Sequence, residues 1–285
     1  GGHFDTYFSY TLPSLLHKSN YSELVNENFD LFFLIYTVDS EDLIRKKYKD
    51  FFSKYKHISF EIIELNVKNN EKPRKIASKA IINALGRCIK EKSILFVAPP
   101  DMIFGNGSVY NCVIDSFDKK LPFAAAHPRV SYEILDSIDK SNSSGIPNSE
   151  LVSLAMKHPH HNFKYAISSL DSNTTYAGVS HFKVSDSLYT VKHVMPSIYL
   201  AFPLKEDYDY FIKVDDFNMW DRGWLQMLVK ENRLNFGGSS DMFFCTELTP
   251  DSDKKKLISE SHIFSNHTVI HNRICGMFTS VWRSS

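Results

Sequence analysis

The sequence predicts an α/β protein whose mainly parallel sheet is flanked by helices and is followed by a C-terminal half richer in strands. The first reason is that strand-like and helix-like segments alternate from residue 31 to residue 126, an order typical of parallel sheets. The second is that the first strand is a continuous apolar run, as expected when helices cover both faces of a sheet. With 285 residues, 43% of them hydrophobic, the chain can bury a large core, and we expect a single domain over residues 1–285.

The first strand and helix are predicted within residues 31–55. Residues 31–36 are the apolar run, and Asp39 or Ser40 can cap a helix whose apolar side chains recur at helical spacing as far as residue 55. By the same criteria, the next segments are a strand at 58–65, a helix at 76–89, a strand at 93–98, a helix at 109–117 and a strand at 121–126.

Two prolines end the third predicted strand. Pro99 and Pro100 cannot continue a central strand, so the chain must leave the sheet before Asp101. A glycine-rich turn at 105–107 follows, and Ser108 is expected to cap the next helix.

The second half of the chain is predicted to be richer in strands. A polar loop at 137–148 separates it from the first half, and the last 35 residues open with a charged run expected to be solvated. The predicted strands are 176–184, 189–194, 198–201, 210–214 and 243–248, and the predicted helices are 150–158 and 224–232.

Composition and missing motifs exclude several functional classes. The formal net charge is +0, which does not support a non-specific nucleic-acid binder. The four cysteines are far apart and form no CxxC motif, so we expect buried free thiols in a reducing cytosol. No apolar run reaches the ~18–20 residues of a membrane span. GxGxxG, GxxxxGK[ST] and GxSxG are all missing, which disfavours dinucleotide oxidoreductases, P-loop NTPases and α/β-hydrolases.

Polar residues at the ends of the predicted strands are the first functional signal. Asp39, Asp101 and His127 each follow a strand of the first half, and ligands of α/β sheets bind beyond the carboxyl ends of the strands. Asp101, in a tight turn, could hold a divalent metal or a ribose hydroxyl; the alternative is that it caps the next turn.

An acidic and aromatic cluster is the second signal. Asp215 and Asp216 follow the predicted strand 210–214, where a carboxylate could act as a general base; a solvated loop is the alternative. Trp220 and Trp224 lie beside them, either as sugar-stacking surfaces or as core aromatics. Asp241 stands at the edge of another apolar segment, and the histidines at 158–161 and 262–271 lack diagnostic zinc-ligand spacing.

Several short motifs together resemble GT-A-type glycosyltransferases of bacterial surface-polysaccharide gene sets, over most of residues 4–250. The matching segments are LPSLL at 12–16, the strand 31–39, the helix 74–87, FVAPPD at 96–101 with Gly107-Ser108, NSELV at 148–152 with His158-Pro159, VKH at 191–193 with Pro196, IKVDD at 212–216 and Ser240-Asp241. Two departures are that the family's DxD motif is reduced to Pro-Pro-Asp and that its DSD-like triplet keeps one carboxylate.

The resemblance implies a GT-A (Rossmann-like) fold that transfers a sugar from a nucleotide-activated donor to a glycan or lipid-linked saccharide. Residues 1–130 would bind the donor, residues 131–250 the acceptor, and residues 251–285 form a tail. The implied donor-binding residues are Thr37, Val38, Asp39, Arg74, Lys79, Asn83, Pro100, Asp101, Arg129 and His193. Asp216 is the implied base, with Asp215 and Asp241 as alternatives, and Trp220 and Trp224 would contact the acceptor.

The same resemblance leaves several properties open. Asp101 is the expected ligand if Mn²⁺ or Mg²⁺ is used, and cationic side chains could replace a metal. The implied location is cytoplasmic, and peripheral association with the inner face of a membrane stays open. Two alternatives are a catalytically inactive nucleotide- or carbohydrate-binding module, suggested by the reduced DxD motif, and a nucleotidyltransferase, for which a glycine-rich loop after the first strand is missing.

Overall fold

The computed structural model describes residues 2–68, 71–138, 145–164, 167–169, 179–193, 196–214, 223–250 and 278–285. Within these residues the protein is a mixed α/β fold, as predicted. The helices are α1 (Gly2–Thr6), a π-helical stretch (Tyr7–Thr11), α2 (Leu12–Leu15), α3 (Tyr21–Asn26), α4 (Glu41–Lys47), α5 (Lys49–Lys54), α6 (Pro73–Glu91), α7 (Ser108–Lys119), α8 (Ile134–Ser137), α9 (Asn148–Lys157), α10 (His161–Lys164), α11 (Lys205–Val214) and α12 (Leu225–Lys230).

The strands follow the same chain order and form four sheets in the described residues. They are β1 (Phe33–Thr37), β2 (Phe60–Glu64), β3 (Leu95–Phe96), β4 (Met102–Phe104), β5 (Phe123–Ala125), β6 (Arg129–Ser131), β7 (Ile167–Ser169), β8 (Val179–Ser185), β9 (Leu188–His193), β10 (Ser197–Ala201), β11 (Asn235–Gly237), β12 (Cys245–Thr249) and β13 (Phe278–Arg283).

Parallel and antiparallel pairings are mixed within these sheets. β1 and β2 form a parallel pair, while β10 is antiparallel to both β3 and β5, and β11 is parallel to β5. β12 lies between antiparallel β4 and parallel β6, and the remaining sheet has the order β13-β9-β8-β7. The described residues therefore contain no single, mainly parallel sheet. β10, from the second half, inserts antiparallel between β3 and β5, and β12 inserts between β4 and β6 and is antiparallel to β4.

Helix α2 is buried and is hydrogen-bonded to β4. Leu12 is fully buried, and the Ser14 hydroxyl donates to the carbonyl of Thr11 (2.8 Å) and accepts from the N–H of Phe104 (3.1 Å). The LPSLL segment therefore has a structural role beneath β4.

Two predicted helix starts differ in detail. The Ser40 hydroxyl accepts from the N–H of Leu43 (3.4 Å), so Ser40 caps α4 as predicted. The predicted single helix is divided, because α4 ends at Lys47 and α5 begins at Lys49. Ser108 is not the cap of α7: Gly107 holds that position with φ of +74°, a left-handed conformation that glycine adopts without a steric penalty. Ser108 instead bonds the Phe244 carbonyl (3.0 Å).

The prediction of a strand at residues 210–214 is wrong. These residues end α11, whose first turn carries Glu206 and Asp207. The side chain of Asp207 accepts from the N–H of Leu204 (3.0 Å), and this side-chain bond at the helix start satisfies a donor that the helix leaves open.

The C-terminal residues form a strand, and the described cysteines are buried. Residues 251–277 lie outside the described part, and β13, which was not predicted, pairs antiparallel with β9. Cys88, Cys112 and Cys245 are buried free thiols, as predicted, and Cys275 lies outside the described residues. In the described residues, every helix is too short or too polar to cross a bilayer.

Candidate functional site

A cavity of about 840 Å³ lies between β1 and β3, with α6 forming part of its wall. Most of its lining is apolar, but the carboxyl ends of both strands reach it through Thr37, Val38, Pro99 and Pro100. Three residues of the predicted donor set, Thr37, Val38 and Pro100, therefore lie at one end of this cavity, which runs along both strands.

The end of β1 makes a tight turn. The buried hydroxyl of Thr37 accepts from the N–H of Asp39 (2.9 Å), so it shapes the turn, while the side chain of Val38 is 55% exposed. Asp39 itself is half-buried and does not line the cavity.

Two predicted donor residues of α6, Lys79 and Asn83, do not line this cavity. Lys79 forms an ion pair with Glu71 (2.7 Å), and Asn83 accepts a hydrogen bond from the hydroxyl of Tyr36 (2.9 Å). Burial raises the pKa of Tyr36 to about 12, so this hydroxyl stays protonated and donates at neutral pH. Arg74 is in the first turn of α6, and its side chain lies outside the description.

A polar network lies near Pro100 and Asp101, which follow β3, and it centres on Glu247 of β12. Its Oε2 atom accepts from Nε of Arg129 (3.1 Å) and bonds Nε2 of His127 (3.0 Å). Burial alone would raise the pKa of Glu247, but the hydrogen bonds and charges of His127 and Arg129 outweigh it and hold the pKa below its usual value. Glu247 is therefore a carboxylate at neutral pH.

The network continues into the core. The hydroxyl of Tyr199 bonds Nδ1 of His127 (2.6 Å), and the thiol of Cys245 donates to that hydroxyl (3.1 Å). Burial raises the pKa of Cys245, so the thiol remains a donor. Tyr199 packs against Phe243, with ring centroids 4.8 Å apart, which fixes the network on its inner side.

Pro100 and Asp101 connect the cavity to the network. Pro100 lines the cavity, and the carbonyl of Asp101 accepts from the N–H of Leu248, the neighbour of Glu247 (2.7 Å). The register places Glu247 opposite Met102 on one side and opposite Arg129 on the other. Arg129 is thus the first residue of β6, and Asp101 directly precedes β4; these two strands flank β12.

The fit of a divalent cation depends on Asp101. In residues 2–68, 71–138 and the later described ranges, no group of three or more His, Cys, Asp or Glu side chains could hold a metal ion. Asp101 is therefore not part of a metal-binding group there. Asp215 and Asp216 lie outside the described residues.

Trp224 is a core residue, so the prediction that it stacks on a sugar is wrong for this structure. Its side chain is fully buried, and its Nε1–H donates to Oδ1 of Asp207 (2.9 Å). A sugar ring cannot reach an indole whose faces are covered by the core. Trp220 lies outside the described residues.

Asp241 is separate from the cavity and from the Glu247 network. Asp241 is 58% exposed and forms an ion pair with Arg283 of β13. His193 is the last residue of β9, opposite Phe278 in the register, and its side chain lies outside the description.

Comparison with protein-family models, with curated proteins and with solved structures gives no match. The functional candidates therefore depend on the geometry and on the sequence resemblance. Sequence reasoning missed Glu247, although a lone carboxylate inside an otherwise apolar strand-like segment is a recognisable signal.

Proposed function

We propose that the protein is a nucleotide-sugar-dependent glycosyltransferase that transfers a sugar to a glycan or lipid-linked saccharide. The observation that carries this proposal is the position of Arg129. Arg129 is on β6 and is bonded to Glu247 of the neighbouring strand β12 (3.1 Å), which also pairs with β4, the strand that follows Asp101. A sugar transferase must stabilise the negative charge that develops on its diphosphate leaving group. A guanidinium anchored in this way suits that task because it binds phosphate oxygens in a fixed geometry.

The roles of the other residues follow from this proposal. The turn at Thr37 and Val38 would hold the nucleoside, and Pro100 and Asp101 would face the sugar diphosphate. Asp216 stays the proposed base, with Asp215 and Asp241 as alternatives. If Mn²⁺ or Mg²⁺ takes part, Asp101 is its proposed ligand, and the cation would neutralise charge on the diphosphate together with Arg129.

The proposed Rossmann-like sheet requires β1 and β3 to pair, and their open edges support this. In the described residues β1 pairs with β2 and β3 with β10, so each strand keeps one edge toward the cavity. The Thr37 carbonyl accepts from Leu65, so the alternate residues Leu34 and Tyr36 turn their backbone groups away from β2. By the same alternation Phe96 faces away from β10, because the N–H of Val97 donates to Tyr199.

Pairing of these edges would satisfy the backbone groups that face the cavity and bring the two halves of the donor site together. We expect the amide hydrogens of Leu34, Tyr36 and Phe96 to exchange at least tenfold more slowly when a donor nucleotide is bound. Hydrogen exchange followed by mass spectrometry measures this. The internal control is β9, which is paired on both sides, with β8 and with β13. Unchanged exchange at a saturating concentration of a nucleotide that binds would contradict the pairing.

The proposed function is tested with a panel of nucleoside diphosphates and CMP. A nucleotide present at about 100 times its Kd should stabilise the folded protein by about 2.7 kcal/mol, seen as a rise in Tm. We expect one nucleotide to raise the Tm selectively. The matching nucleotide sugar should then be hydrolysed or transferred in at least one of three assays, which contain Mn²⁺, Mg²⁺ or EDTA. If no nucleotide raises the Tm, the transferase proposal fails; selective binding without turnover of any sugar donor would instead indicate a binding module.

A further inference from the structure

We propose that Glu247 is a positioning residue, which His127 holds in place so that it aims the guanidinium of Arg129 at the anionic group of the donor. This inference rests on the proposed function, but it concerns a residue that the sequence resemblance does not include. The geometry of three side chains carries it.

The first step is the convergence of two donors on one carboxylate oxygen. Nε of Arg129 and Nε2 of His127 lie 3.1 Å and 3.0 Å from Oε2 of Glu247. Only 18% of the Glu247 side chain is exposed, whereas 56% of the Arg129 side chain is. The bond to Glu247 uses the Nε–H of Arg129, so its two Nη groups remain accessible to a ligand.

The second step is that His127 is held at both ring nitrogens, by Glu247 on one side and by the buried Tyr199 on the other. The Cys245 thiol donates to the Tyr199 hydroxyl, whose own hydrogen can then go to Nδ1 of His127. Because the Glu247 carboxylate can only accept, Nε2 of His127 must carry a hydrogen and donate it to Glu247. Because Cys245 and Tyr199 are buried, this chain of bonds fixes the imidazole and, through it, the carboxylate.

The third step is the consequence for Arg129. An exposed arginine without an anchor populates many rotamers and loses that freedom when it binds an anion. Glu247 fixes the guanidinium before the ligand arrives, so part of this entropy loss is already incurred in the free protein. We therefore expect Glu247 to contribute about tenfold to the affinity for a diphosphate without touching it.

The experiment uses the whole chain and inorganic pyrophosphate as the probe, with binding measured by isothermal titration calorimetry. Glu247→Gln keeps the shape of the side chain but removes its charge, and should weaken binding about tenfold. Arg129→Lys keeps the cation but lacks the Nε–H, and should weaken binding by a similar factor. Because Arg129 is exposed, this second variant tests the proposal even if Glu247→Gln fails to fold.

A double-mutant cycle separates positioning from a merely structural role. In an Arg129→Ala background, Glu247→Gln should have no further effect on pyrophosphate affinity, because the residue it positions is missing. The matched control is Glu231→Gln, which removes a carboxylate bonded to Arg233 (2.9 Å) on the exposed C-terminal end of α12. This control should bind pyrophosphate as the wild type does.

A spectroscopic measurement gives an independent result. The Nε–H resonance of Arg129, assigned by its loss in Arg129→Lys, should be visible and slowly exchanging in the wild type and lost in Glu247→Gln.

Wild-type affinity in Glu247→Gln, additive effects in the cycle, or no pyrophosphate binding by the wild type would each overturn the positioning role. If the cycle behaves as expected but no nucleotide sugar is turned over, the positioning of Arg129 stands and the transferase proposal fails. If Glu247→Gln turns over a nucleotide sugar with unchanged kcat and KM, the transferase proposal stands and the positioning role of Glu247 fails.

Discussion

Replacement of Asp207 by alanine should lower the free energy of unfolding by about 3–5 kcal/mol, the range typical of breaking a buried ion pair. The Asp207 side chain is fully buried and bonds the Nε1–H of Trp224 (2.9 Å), Nη2 of Arg233 (2.9 Å) and the N–H of Leu204 (3.0 Å). Alanine would leave the buried indole N–H of Trp224 and Nη2 of Arg233 without their acceptor, although Nη1 of Arg233 keeps its bond to the exposed Glu231. Urea unfolding at pH 7, followed by circular dichroism, measures the change.

The matched control for this prediction is Asp209→Ala. Asp209 is on the same helix, α11, but it is exposed, so removing it should change the unfolding free energy by less than about 0.5 kcal/mol. If both variants lose the same stability, the loss reflects helix charge rather than the buried network, and the interpretation of Asp207 is wrong.

The same carboxylate explains why the sequence did not reveal α11. Asp207 and Phe211 are four residues apart and both buried, so they share the inward face of the helix. A charged residue on that face interrupts the apolar stripe by which an amphipathic helix is recognised. The remaining run at 210–214 is aromatic and β-branched, which favours a strand when it is considered alone. Only the distant partners Trp224 and Arg233 make a carboxylate acceptable there.

Long elements with an uninterrupted pattern were predicted well. The apolar stripe of α6 and the apolar run of β1 both appear where expected, because local spacing determines them. Sheet order depends on contacts between distant segments: β10 inserts between β3 and β5, about 75 to 100 residues away along the chain. No local pattern encodes that insertion, so the predicted parallel sheet is not found in the described residues.

The candidate site was predictable only in part for the same reason. Asp101 was selected because it follows a predicted strand, which is a local property, and Arg129 was one of the donor residues implied by the sequence resemblance. Glu247 belongs with them only through the register of β12 between β4 and β6, which joins residues more than 100 positions apart. Trp224 had the composition of a sugar-binding residue, but its bond to Asp207 places it in the core.

Replacement of Asn20 by alanine should lower the free energy of unfolding by about 3 kcal/mol, because it leaves several buried backbone groups without partners. The fully buried Asn20 side chain donates to the carbonyls of Ser14 (2.9 Å) and Gly105 (3.3 Å) and accepts from the N–H of Val109 (3.0 Å). Val109 is in the first turn of α7, so Asn20 satisfies one of the open donors at that helix start from a distant part of the chain. Urea unfolding of the variant gives the loss.

Asn26→Ala is the matched control, since Asn26 is exposed at the end of α3 and its removal should cost less than about 0.5 kcal/mol. Asn20→Asp tests the mechanism further, because a carboxylate keeps the acceptor for Val109 but has no hydrogen for the carbonyls of Ser14 and Gly105. It should therefore be destabilised as well, through repulsion between the carboxylate and those two carbonyl oxygens. Wild-type stability in both Asn20 variants would show that the helical segment around Ser14 does not hold the loop before α7.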